Sequence, residues 1–401
     1  MTGGFRLATY TGTGFSQNPH TAHAARDAAL QAKARVGSRP IDIVFVFASP
    51  GYHYLEMLRV IRQTLDDSKI VGCTSCALIT NNTIEQKGIS VLAVSSQEIK
   101  FGTSSVGVLT QSDMRVAGNI IARNAAADLN ETRRSSFVIF YDGLVQNTSF
   151  FVKGIQEILG KIFPLAGAGA SDNFLFKETF QFHNEQLLKD SAVGVLLGGN
   201  VKFACARHHG WKPLGKPRMV TRSQGALIQT IDGERASLVY EEYFGLALED
   251  LRKEFPASFL SLYPLGIFME DEKEYLLRHI IRVLEDGSLL CQGAVAENAQ
   301  INFMITNKDF CKDATRKAAE EIKKTFAQEP IKILLVFSSV LRLKLLRHEA
   351  RSEITIIQET LDTLAPIMGM YSYGELGNFE SVRLAGETGI HNGTISILAI
   401  G

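Results

Sequence analysis

The chain has 401 residues, 45% of them hydrophobic and 21% charged, enough apolar material for more than one core. Its 42 Lys and Arg balance 42 Asp and Glu, so there is no basic footprint and nucleic acid is excluded as the main partner. No apolar run approaches the roughly 18 residues of a membrane span, and the first residues lack the basic-then-apolar order of a signal peptide; five cysteines in that context point to reduced thiols in a cytoplasm.

Three segments share one plan. The first is IDIVFVFASP, a helical stretch, IVGCTSCALI and GISVLAV. The second is SFVIFYDG, a helical stretch, FPLAGAGASDNF and SAVGVLLGGN. The third is IKILLVFSSV, a helical stretch, APIMGMYSYGELGNF and GTISILAIG. Continuous apolar strands separated by amphipathic helices predict α/β (mixed α+β) architecture, with repeated strand–helix–strand units forming helix-covered sheets. Aligned on Gly72, Gly167 and Gly369, Cys73 matches Ala168 and Met370, and Cys76 matches Ser171 and Tyr373. The C-x-x-C spacing of Cys73 and Cys76 therefore reads as small buried thiols past a strand end. A redox pair opens a helix instead, and structural zinc needs four ligands.

Between the second and third segments the pattern turns to short strands, with tight turns at Asp232-Gly233 and Asp286-Gly287. A helix through KDFCKDATRKAAEEIKKTFAQEP follows and ends before Pro330. The expected division is near residue 220, after WKPLGKPRM, giving domains 1–220 and 221–401.

Ser49, Asp142 and the pair Ser338-Ser339 each end a strand and precede a helix. They read first as helix caps, with Pro50 at a first helical position. The same place, beyond the carboxyl ends of strands, is where anionic ligands bind. Alternation puts Tyr371 and Tyr373 on one face, with Glu375 free to meet an amine: either a packed strand or a pocket wall. Asn392 belongs to an Asn-Gly turn after His391 and is a further ligand-binding candidate. Arg207, His208 and His209 stand beside the only tryptophan, Trp211, either as a linker plug or as a haem site. His53 is the second imidazole candidate. No P-loop, H-E-x-x-H or G-x-S-x-G occurs, so no catalytic residues are assigned.

These stretches resemble the FIST family. The resemblance runs through GTGFSQNPHTAHAARDAALQAKA, VGCTSCALI, HHGWKPLGKPRMVT, DGSLLCQGAVAE, MGMYSYGELG and HNGTISILAI. Two positions depart from it: Ala77 and Asn298 stand where the family often has glycine, and Asn accepts left-handed backbone better than most residues. The resemblance implies a stand-alone sensory module that binds a small ligand, with amino acids as one class, and signals through a partner such as a histidine kinase or a cyclic-nucleotide enzyme. Its alternative is a haem-bound nitric-oxide sensor held by His208 or His209, with Arg207 at a propionate. Two other readings stay open: an enzyme pairing Cys73 or Cys76 with His209 or His391, and a scaffold without ligand.

Overall fold

The computed structural model describes residues 8–401 except 132, 147, 254–259, 271–273, 328, 380–383 and 385–386. The three apolar runs form strands Ile43–Ala48, Arg134–Tyr141 and Ile333–Ser339. Each lies parallel to the strand that follows it: Lys69–Thr74, Leu165–Gly169 and Ile367–Ser372. On its other side each pairs antiparallel with Ile89–Ser96, Ala192–Gly199 or Ile395–Ile400. An outer strand completes the plan, respectively Thr9–Ser16, Ile99–Val106 and Phe203–His208. Three sheets of one design result.

A parallel strand must be covered on both faces, which is why these read as unbroken apolar runs. Helices cover one face: Thr21–Val36 and Tyr54–Thr64 on the first sheet, Met114–Leu129 and Thr148–Leu159 on the second. Lys308–Phe326, Val340–Leu346 and Ser352–Leu361 cover the third. The other faces turn toward one another. Phe47, Phe140 and Phe337 meet edge to face there, with ring centres 5.2, 5.9 and 6.5 Å apart.

The alignment on glycine is matched by the strand register. Gly72 lies opposite Val46, Gly167 opposite Ile139 and Gly369 opposite Val336. A β-carbon at these glycines would sit 1.8, 1.9 and 2.0 Å from the carbonyl oxygen of that neighbour. One residue further, Cys73, Ala168 and Met370 lie opposite the three core phenylalanines.

Each sheet is finished by a hairpin from another part of the chain. Gln181–His183 and Gln186–Leu188 leave the second unit and extend the first sheet beside Lys69–Thr74. Glu375–Asn378 and Thr388–His391 leave the third and extend the second sheet. Leu78–Ile79 and Ile84–Glu85 leave the first and extend the third. The exchange is cyclic.

A fourth sheet is inserted between Phe203–His208 and helix Lys308–Phe326, built around strands Lys212–Gln224, Leu227–Ile231 and Gln300–Ile305. It has its own core, including Tyr240, Leu289 and Phe303. Val220, the expected boundary, lies within its first strand. Asp232 and Gly233 both take positive φ, the turn expected of Asp-Gly, and Asn298 sits in the left-handed region at φ 62°.

Gly369→Ala should cost about 3 kcal/mol or more, because its new methyl meets backbone that cannot step aside. Gly107→Ala, with nothing within 4 Å of the new carbon, should stay within about 0.5 kcal/mol. Urea unfolding of the two variants compares them directly; equal midpoints would contradict the contact.

Candidate functional site

Ser49, Asp142 and Ser339 occupy equivalent strand ends, but only Ser339 caps a helix, accepting from Leu341 N at 3.4 Å. The helices after Ser49 and Asp142 begin later, at Tyr54 and Thr148, so Pro50 is not a first helical residue. Ser49 Oγ accepts from Gly88 N at 3.0 Å. Asp142 accepts from Leu144 N at 3.0 Å, Asp190 N at 3.1 Å and Thr179 Oγ1 at 2.8 Å. Both are buried and fasten neighbouring turns.

The C-terminal motif YSYGELG is buried throughout. Tyr371 is fully buried and donates to Glu353 Oε2 at 2.6 Å. Glu353 in turn holds the buried Arg342 at 2.8 Å, which reaches His209 O at 2.9 Å and Cys311 O at 2.8 Å. Glu375 is sealed inside, accepting from Ser372 Oγ at 2.6 Å, Thr394 Oγ1 at 2.7 Å and Thr394 N at 3.1 Å. Burial outweighs these donors and pushes its carboxyl up to about 8. Asn392 is buried too, its amide nitrogen turned toward Gln292 O at 2.8 Å and Leu277 O at 3.2 Å. Of this group only Tyr373 lines a cavity. Its hydroxyl donates to Asp172 Oδ1 at 2.5 Å and its ring stacks on Phe176 with centres 4.6 Å apart.

The imidazoles are not arranged for haem. His208 bridges two carboxylates, Nδ1 to Glu274 at 3.1 Å and Nε2 to Glu321 at 3.0 Å. Burial works against its charge, yet those hydrogen bonds raise its pKa to about 9. His209 is buried with both nitrogens engaged, Nδ1 accepting from Trp211 N at 2.8 Å and Nε2 beside Tyr275 O at 3.1 Å. Arg207 donates to Asn378 O at 2.9 Å through Nη2. The hollow beside His208 is lined by Lys212, Glu274, Lys317, Glu320, Glu321 and Lys324, the opposite of the apolar slot haem requires. Arg207, His208 and His209 are thus each engaged by protein partners. His53 precedes helix Tyr54–Thr64.

Cys73 and Cys76 are both buried. Cys73 lies in the shared core with Sγ 3.3 Å from Met370 Sδ, and burial lifts its pKa well above the ordinary value. Burial likewise raises Cys76 to about 12. Among the described residues neither thiol hydrogen-bonds a histidine, and no cluster of His, Cys, Asp and Glu could hold a metal ion.

A cleft of about 1480 Å³ lies where segments flanking or belonging to all four sheets come together. One wall is the exchanged hairpin at Thr83–Gln86, another the segment from Val340 to Arg351, and a third the inserted sheet at residues 279–292. The fourth is a loop that carries Phe174, Leu175 and Phe176. Phe174 and Phe176 take φ of 60° and 50°, a region costly for bulky side chains. Asp172 holds the loop there, accepting from the backbone N–H of Leu175, Phe176 and Lys177 at 3.0, 2.9 and 2.8 Å. Among the described residues the lining holds five cations (Arg252, Arg282, Lys344, Arg347 and Arg351) and one acid, Glu85. Sequence reading missed all of them. The readable signal was FLF, three consecutive apolar residues in a loop.

Fold and cleft together describe a mixed α/β protein offering a cationic, part-aromatic binding cavity. The FIST N domain matches residues 42–234 and the FIST C domain residues 236–378. The chain belongs to the FIST family, whose domains are sensory modules of signal transduction. An uncharacterized protein of Methanocaldococcus jannaschii is 26% identical over 197 residues, 46% of this chain and 37% of that protein. Among solved structures, a cyanuric acid hydrolase from A. caulinodans aligns over 98% of this chain and 99% of its own, at TM-score 0.38 and 9% identity. Phosphoribosylformylglycinamidine synthase II from Thermotoga maritima aligns over 98% and 72%, at TM-score 0.24 and 10% identity. Scores that low say nothing of chemistry. No helix among the described residues is long and apolar enough to cross a membrane.

Glu375 should leave a signature in stability. Its folded pKa of about 8 lies above the ordinary 4.5, so between those values the folded state keeps a proton the unfolded state has lost. Stability should fall as pH rises from about 4.5 to about 8, and Glu375→Gln should flatten that slope in denaturant titrations. A slope unchanged by the substitution would contradict the buried acid. Native protein at pH 8 should resist iodoacetamide at Cys73 and Cys76 and react at both once unfolded, read by peptide mass spectrometry.

Proposed function

We propose that this protein is a sensory module that binds a small anionic metabolite in the cleft beside Tyr373 and passes its presence to a partner protein in the cytoplasm. The supporting observation is the charge of the lining, five cations against one acid. That acid is occupied: Glu85 accepts from Gln17 Nε2 and Thr83 Oγ1, both at 2.7 Å. A carboxylate or phosphate suits the walls through charge-assisted hydrogen bonds. An amino acid suits them by its carboxylate alone, since Glu375, the amine partner suggested by sequence, lies sealed below the surface. A ligand spanning walls from separate parts of the fold favours one relative placement of them, and this is what a partner such as a histidine kinase or a cyclic-nucleotide enzyme would read.

Thermal unfolding in the presence of amino acids, dicarboxylates and phosphorylated metabolites tests the reading, because a ligand of the folded state raises the midpoint. The paired substitution Arg347→Ala and Arg351→Ala should weaken the best binder by about tenfold or more. An intact protein that no anion stabilises would sink the proposal.

A further inference from the structure

The cleft's two unusual walls constrain its ligand further. The first is charge. Arg252 is paired with Glu285 at 2.8 Å. Arg282, Arg347 and Arg351 make no side-chain ion pair or hydrogen bond among the described residues. Three guanidiniums collected on one cavity repel one another unless an anion lies among them, and a single carboxylate would leave most of that repulsion in place. The second is a flat apolar shelf. Phe176 is 54% exposed, with one face stacked on Tyr373 at an interplanar angle of 13° and the other left open. Burial does not explain this placement. Asp172 fixes the Tyr373 hydroxyl and the Phe176 backbone together, holding two aromatic residues of the loop at positive φ. Strained backbone held by its surroundings collects at binding sites. Exposed rings next to cations are how proteins take planar, negatively charged molecules: the ring offers stacking, the cations take the charge.

We infer that the cleft takes a planar heteroaromatic ring carrying at least two negative charges, a nucleoside diphosphate in its simplest form. This rests on the cleft being the binding site. It deepens that reading, since an aliphatic anion uses the arginines and leaves the shelf empty. The roughly 1480 Å³ available exceeds what a single amino acid fills and accommodates a ring, a sugar and two phosphates.

Calorimetric titration of the full chain with the four common ribonucleoside diphosphates, their uncharged nucleosides and pyrophosphate tests this. At least one diphosphate should bind tenfold or more tightly than both its nucleoside and pyrophosphate. Phe176→Ala should weaken that diphosphate by about tenfold or more while leaving pyrophosphate unchanged. The double variant Arg282→Gln, Arg347→Gln should weaken both, with a thermal midpoint near wild type showing that each variant is folded. If no diphosphate outbinds pyrophosphate, or Phe176→Ala leaves the preferred one unaffected, the ring requirement is wrong. If a nucleoside binds as well as its diphosphate, the charge requirement is wrong. Pyrophosphate or amino-acid binding that disappears in the arginine variants would, in those cases, leave the cleft standing as an anion site. Silence toward every probe would remove both readings.

Discussion

The inner faces of three sheets meet on the rings of Phe47, Phe140 and Phe337, and no sheet reaches that point by itself. Each central pair is parallel, so it needs cover on two sides. Helices give one side, and the other two sheets give the second. Within each parallel pair, a β-carbon at Gly72, Gly167 or Gly369 would meet the carbonyl oxygen of the neighbouring strand. The edges obey the same logic. Each pair would present an open edge beside its second strand, and a hairpin from a different unit fills it. Backbone hydrogen bonds carry the exchange into the strand ends: Ser171 N donates to Thr74 O at 3.1 Å, and Tyr373 N to Gly169 O at 3.1 Å. Such pairing between distant segments makes folding depend on non-local contacts, with the entropy of long loops lost before the core forms.

The exchange also explains where the cleft lies. The hairpin holding Leu78–Ile79 and Ile84–Glu85 belongs in sequence to the first unit, yet its pairing with Ile367–Ser372 carries Thr83–Gln86 across to the third. There it faces the segment Val340 to Arg351 and the inserted sheet. The loop fixed by Asp172 comes from the second unit. A cavity assembled from segments so far apart in sequence is rigid only while the three-way core holds, so its geometry inherits the stability of that core and responds to anything that shifts one unit against another.

Much of the framework was legible because it is local. The apolar runs, the intervening helices and the equivalence of three glycines followed from composition and spacing, and the register confirms the last of these position by position. The Asp-Gly turn at 232–233 and the left-handed Asn298 were readable for the same reason, since each depends on one residue's own φ preference. What was not legible is long-range. Nothing in LITNNTIE announces that it will pair with IMGMYS rather than with its own sheet. Strand alternation put Tyr371 and Tyr373 on one face, but it could not say that Glu353 would claim the first hydroxyl and Asp172 the second. Arg282 lies far in sequence from Arg347 and Arg351, and only the fold brings the three to one cavity.

Three equivalent strand ends would by symmetry be built alike, and the side chains show why they are not. At the fourth residue past the glycine the chain places Cys76, Ser171 and Tyr373. The first two are small and close on each other, Cys76 N donating to Ser171 Oγ at 3.0 Å, and both are buried. Tyr373 is larger and is buried elsewhere, where Asp172 takes its hydroxyl and Phe176 covers its ring. Only the third unit carries a whole extra sheet between its outer strand and its first helix, and that sheet stands opposite Tyr373 and walls off space that the other two units leave to solvent or fill. Repetition built the interior, and the position where the repeat carries a large aromatic residue, beside the inserted sheet, borders the cationic cleft.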